Sequence, residues 1–156
     1  MSSTPSVVTS RPEVTVLVCE SGRRWCDAAR RFVGPFQHAP PLPDHRRGLR
    51  SSGPLFTVHA IEHSKVRAMI AGRESVAIVW EISPQTASAI ALSISQISVV
   101  RPDVVQIVTV SAESASESHD LSLRILELGI TAVVETPEQF PMVARLLRRR
   151  FTDRPM

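Results

Sequence analysis

A chain of 156 residues, 43% hydrophobic and 21% charged, suits one soluble globular domain and excludes wholesale disorder. No apolar run reaches the roughly 18 residues of a membrane span, and two cysteines are too few for a disulfide-framed secreted fold, so a cytoplasmic protein without a membrane partner is expected. The formal charge of +3 and pI near 9.6 come from arginine, Lys65 being the sole lysine, and a surplus that small does not by itself make a nucleic-acid binder.

Residues 1–12, "MSSTPSVVTSRP", lack a basic residue followed by an apolar run and read as a disordered tail rather than a signal peptide. "EVTVLVCES" then has no polar face, as expected of a strand covered on both sides. Trp25, Ala28, Ala29 and Phe32 follow at helical spacing, up to Gly34-Pro35. Periodicity stops over 34–54, a Pro, Gly, Arg and Ser-rich loop inserted into a domain spanning 13–151. "LFTVHAI" is a second strand, "SKVRAMIAG" a short helix stopped by Gly72, and "SVAIVWEI" a third strand.

After Ser83-Pro84, Ala87, Ile90, Ile94 and Ile97 mark one helix face, although Leu92 to Ser98 also alternates like a strand. "VVQIVTVS" is a fourth strand, and "AESASESHD" a polar connection or a regulatory phosphorylation loop. Leu121, Ile125 and Leu128 share a face of a helix closed by Gly129. "ITAVVE" is a fifth strand, and Met142, Val143, Leu146 and Leu147 build a last helix before a tail at 152–156. Strictly alternating strands and helices predict an α/β fold, a three-layer sandwich around a five-stranded parallel sheet.

Within that order, "ELGITAVVETPEQFPMVARLLRRR" resembles the end of a receiver domain, the flavodoxin-like phosphoacceptor module of bacterial two-component response regulators. Gly129 stands where that family closes its fourth helix, and Pro137 where a Lys-Pro follows its fifth strand. "VVQIVTVSAE", "VTVLVCESGRRW" and "VAIVWEISP" are similar to the fourth, first and third strands with their following turns. The resemblance implies a magnesium-assisted phosphoryl transfer to a strand-end aspartate, and five positions bear on it. The family's acidic pair is Cys19-Glu20 here, and its phosphoacceptor falls on Trp80 or, with the strand slipped by one, on Glu81. Ser111 keeps the hydroxyl position, while the lysine before Pro137 is Thr136. An indole accepts no phosphoryl group, and Glu81 sets its carboxylate one methylene further out, where in-line attack depends on placement.

The expectation is therefore a pseudo-receiver without catalysis or cofactor, working by protein interaction. The resemblance assigns the contact to the last strand and helix, with Leu121, Val133, Arg145, Arg148 and Arg149 on that surface and a protein partner or homodimer as occupant. An atypical phosphoacceptor is a lesser reading.

Other signals weigh against duller accounts. Glu20 and Glu81 could share a cation at the sheet edge, but two solvated acids are the plainer account. "HAIEH", His59 to His63, matches a zinc-peptidase pattern, yet it straddles the end of a predicted strand instead of lying on one helix. "PPLP", Pro40 to Pro43, is a stiff spacer unless a peptide-binding domain reads it. "RLLRRR" with Arg23, Arg24, Arg46 and Arg47 supports the alternative of an Arg-dependent nucleic-acid-binding accessory protein, though last-turn arginines also suit the helix dipole and no aromatic residue is interleaved for base stacking. Cys19 reads as a structural thiol rather than a redox one.

Overall fold

The computed structural model describes residues 12–34, 53–111 and 115–152. Five strands, β1 (Glu13–Cys19), β2 (Leu55–Ala60), β3 (Val76–Ile82), β4 (Val105–Val110) and β5 (Ala132–Val134), alternate with five helices, α1 (Arg24–Phe32), α2 (Val66–Ile70), α3 (Ala87–Val100), α4 (Ala115–Leu126) and α5 (Phe140–Thr152). Short 3-10 turns, His63–Lys65 and Pro137–Gln139, lead into α2 and α5. The strands pair in parallel in the order β2-β1-β3-β4-β5, the flavodoxin-like order, and the sandwich has three layers as the alternation predicts.

Because successive side chains leave a strand on opposite faces, the greasy runs feed two cores at once. Val14, Val16, Val18, Ala77, Val79 and Ile107 pack with α1 and α5; Leu17, Ile78, Trp80, Ile82 and Val108 pack with α2, α3 and α4. The buried polar residues are Thr15, Gln106 and Thr109, and Gln106, within β4, makes the widest set of contacts. Its Oε1 accepts Trp80 Nε1–H at 3.0 Å, and its amide nitrogen donates to the Ile94 carbonyl at 3.2 Å and to Ser98 Oγ at 2.9 Å. One side chain thus satisfies the indole and ties β3 and β4 to α3.

On α3, Ile90, Ile94 and Ile97 are buried and Ala87 half-buried, so the helical reading of that segment holds over the strand-like one. On α1, Cys26 joins Trp25, Ala28 and Ala29 inside. Three expectations are corrected. The run from Ala115 to Asp120, expected as connector, belongs to α4: Ser116, Glu117, His119 and Asp120 are exposed, and Leu121 and Ile125 are buried on the inner face. On α5 the buried stripe is Phe140, Val143, Ala144, Leu147 and Phe151, and this phase leaves Met142 46% exposed. Thr152, expected in the tail, ends α5. The tail at 1–11, the loop from 35 to 52 with Pro40 to Pro43, Arg46 and Arg47, residues 112–114, and 153–156 lie outside the described residues.

At the amino-terminal edge of the sheet, Arg101 locks two turns together. Its guanidinium forks onto Asp103 at 2.9 Å and donates to the carbonyls of Ile70 and Arg73 at 2.9 and 2.7 Å. The Asp103 pairing raises its pKa further. Gly72 and Gly129, at φ of +74° and +77°, turn the chain after α2 and α4 where a side chain would be strained. Among the described residues no helix is long and apolar enough to cross a membrane.

Candidate functional site at the strand ends

Cys19 lies beside Trp80 in the parallel register, so Glu20, just past the end of β1, and Glu81, the next-to-last residue of β3 and paired with Thr109, stand as neighbours at the carboxyl edge of the sheet. Val110 pairs with Ile82, and Ser111 follows, its N–H donating to the Ile82 carbonyl at 2.8 Å. Thr136 comes two residues after β5. Strand ends of this kind are where open α/β folds bind ligands.

Glu20 closes the start of α1. Arg23, at the N-cap, offers no side-chain cap. Glu20 reaches over instead: Oε2 accepts the Trp25 N–H at 3.0 Å and Oε1 the Cys26 N–H at 2.7 Å. The carboxylate satisfies two orphan donors and sits at the positive end of the helix dipole, the position that would otherwise suit an anionic ligand. Glu81 accepts from Ser21 Oγ at 3.0 Å and from the Ser21 N–H at 3.4 Å. Both carboxylates therefore hold the β1–α1 turn.

Trp80 is fully buried and points to the opposite core, under the edge of the His63 ring at 5.7 Å between centroids. Of the two positions that the sequence left open for a phosphoacceptor, Glu81 alone reaches the strand ends, and Trp80 leaves the expected pocket. Thr136 and Pro137 serve the chain locally. The Thr136 side chain accepts the Gln139 N–H, Gln139 Oε1 accepts the Glu135 N–H at 2.8 Å, and Pro137 opens the turn. Glu138 has its pKa lowered by its own backbone N–H, by the Thr136 hydroxyl and by the Arg24 guanidinium. The cation that acts on Glu138 thus comes from α1. Arg24 was considered in the sequence only as part of a basic run; nothing local signals its approach to the β5–α5 turn.

Burial pushes the Cys19 thiol up to about 12. Burial also raises Cys26, with the Arg30 charge opposing it and Glu20 and Asp27 adding to it. The two thiols belong to opposite cores. Neither is set up as a nucleophile.

The "HAIEH" residues separate as their strand-end position predicts. His59 is exposed on β2, whereas His63 opens a 3-10 turn with Nε2 hydrogen-bonded to Ser93 Oγ, and Glu62 pairs with Lys65 at 3.7 Å. Among the described residues no three His, Cys, Asp or Glu side chains cluster so as to hold a metal ion. A cleft of about 250 Å³ between α3 and α4 is walled by Ile82, Ala87, Ala91, Leu121, Ile125 and Leu128. It opens on the face away from Glu81.

The expected interaction surface needs one correction. Leu121 is 5% exposed and belongs to the core; Leu123 and Leu126, on the outer side of the same helix, are 51% and 55% exposed. A phase error of two residues on a helix turns a side chain from core to solvent. Val133 is half-buried on the edge strand, and Arg145, Arg148 and Arg149 are exposed. Compared with known proteins, the chain matches no protein-family model and no curated protein.

Proposed function

We propose that this chain is a non-catalytic, pseudo-receiver-type module that works by protein contact. The observation that carries the proposal is Glu20: both of its oxygens are engaged by the backbone of α1. A strand-end carboxylate held this way is a structural cap, and a divalent cation would have to compete with two N–H donors for it. Three further features support the same reading. Trp80 is buried on the wrong face for chemistry. Glu81 is tied to Ser21, and Thr136 caps its own turn where an incoming phosphate needs a cation. In this reading the module acts in the cytoplasm alongside two-component phosphorelays without taking the phosphoryl group itself. Contact is made along the β5 edge, with α4 and α5 on either side.

Incubation with magnesium and acetyl phosphate, followed by intact-mass measurement, tests the reading. The mass is expected to stay unchanged. A phosphoryl adduct that vanished in Glu81→Gln would establish an atypical phosphoacceptor and overturn the proposal.

A further inference from the structure

Charge is distributed unevenly between the two helical layers. On the side of α1 and α5, residues 23–31 and 138–152 carry eight arginines against two acids, Asp27 and Glu138. On the other side, residues 62–70, 87–100 and 115–128 carry three basic residues against four acidic ones, and α3 carries no charge at all. The surplus on the first layer exceeds the +3 of the whole chain.

Folding makes one surface of arginines that are more than a hundred residues apart. The α1 and α5 stripes facing the sheet, Trp25, Ala28 and Ala29 with Phe140, Val143 and Leu147, are buried in one core. Their outer positions, Arg24, Arg30, Arg31, Arg145, Arg148 and Arg149, are exposed. Arg148 donates to the Phe32 carbonyl at 3.3 Å, and the Arg31 guanidinium lies 5.2 Å from the Phe32 ring centroid. The end of α1 and the last turns of α5 are therefore adjacent, and their guanidinium groups share one face.

We propose that this α1/α5 face binds the phosphodiester backbone of nucleic acid. All eight cations are arginine, whose planar fork matches phosphate oxygens better than an ammonium does. The exposed positions of α1 are all charged, so that helix has no outward apolar stripe to enter a lipid surface. Among the described residues of this face, Phe32 is half-buried and covered by Arg31, and no exposed ring is offered for base stacking. Recognition is consequently of the backbone, independent of sequence. The strand-end groups take no part in this proposal, so it does not depend on the loss of phosphoryl transfer, although Arg145, Arg148 and Arg149 also belong to the surface expected to make protein contact.

Fluorescence anisotropy with the full chain and labelled duplex and single-stranded oligonucleotides, from 50 to 200 mM salt, tests it. Four neutralised phosphates on a duplex give a salt slope near −3.6 and about a 150-fold loss of affinity over that range. The triple variant Arg30→Glu, Arg31→Glu, Arg145→Glu should reduce binding at least about a hundredfold and flatten the slope by about one per lost contact. A matched variant on the opposite layer, Lys65→Glu, Arg67→Glu, Arg124→Glu, changes net charge equally and should lose far less. Circular dichroism checks that both variants fold. Equal losses in the two variants would reduce the effect to net charge and overturn the proposal. So would absence of oligonucleotide binding at 50 mM salt, or binding only to phosphatidylserine vesicles.

Discussion

Burial gives Cys19 a property that its position at a strand end conceals. Its thiol ionises at about 12 in the fold against 9.0 for the free group. The sign follows directly. Below pH 9 both folded and unfolded chains hold the proton and the thiol contributes no pH dependence. Between 9 and 12 the unfolded chain releases it and the folded chain does not, so stability falls as pH rises. The slope approaches about 1.4 kcal/mol per pH unit for one proton, so roughly 2 kcal/mol should be lost between pH 9 and 10.5. Urea midpoints at pH 7 and 10.5 measure this. Cys19→Ala starts less stable because of the small cavity it leaves, but it should lose less on going alkaline; an equal loss would place the sensitivity elsewhere. Gln106 shows the complementary case. A lone amide inside "VVQIVTV" is visible in the sequence as a polar group that the sheet must bury, and the rule that such groups find partners anticipates a network. The partner itself, Trp80, lies 26 residues away on another strand, and no local pattern links the two.

At the scale of elements, α1 depends on a cap from outside its own first turn. Nine residues make a short helix, and without tertiary help such a length is marginal. Glu20 supplies the help through Trp25 and Cys26, and its loss leaves two N–H groups needing water at the sheet edge. Glu20→Ala should cost about 1–2 kcal/mol, read as a lower urea midpoint with an unchanged m-value. Glu20→Gln, which keeps one acceptor oxygen, should cost less. No difference between wild type and Glu20→Ala would mean that the cap does not hold α1. The elements themselves were largely legible. Runs apolar on both faces gave the strands, and Ile90, Ile94 and Ile97 gave α3 its phase. The start of α4 was not legible, because Ser, Glu, His and Asp at its outer positions look the same in a connector as on a solvated helix. On α5, Val143 and Leu147 are buried and Leu146 packs at the margin of the core, whereas Met142 faces out; it is as apolar as the residues that pack, so periodicity alone could not exclude it until Phe140 and Phe151 anchored the inner stripe. The candidate site was legible as a set of positions at the strand ends. The hydrogen bonds that occupy it, Glu20 to α1 and Glu81 to Ser21, depend on three-dimensional closure and have no local signature.

For the molecule as a whole, the outer strands of the sheet among the described residues are β2 and β5, and the two edges differ. β5 has three residues, and the helices beside it expose apolar side chains: Leu123 and Leu126 on α4, and Met142 on α5 at 46% exposure. Ser118 of α4 bonds to Glu135 just after β5 at 3.4 Å, so helix and edge form one surface. Arg124, Glu127, Glu135 and Arg150, all exposed, give that surface both signs of charge. Exposed leucines together with charges of both signs are the composition that suits an isologous contact with a second copy. We expect a homodimer through this edge. Light scattering coupled to size-exclusion chromatography over a range of loading concentrations reads the mass directly. Leu123→Glu with Leu126→Glu places four carboxylates in the interface of each dimer in place of four leucines. At even about 1 kcal/mol for each, dissociation tightens or loosens by roughly a thousandfold, here towards the monomer. Because both positions face solvent in the single chain, the variant should keep its circular dichroism spectrum and melt close to wild type once wild type is diluted below its own dissociation constant. A wild-type chain that stays monomeric at millimolar concentration would remove the second copy as occupant, whereas a dimer that survives the double substitution would put the contact on another face.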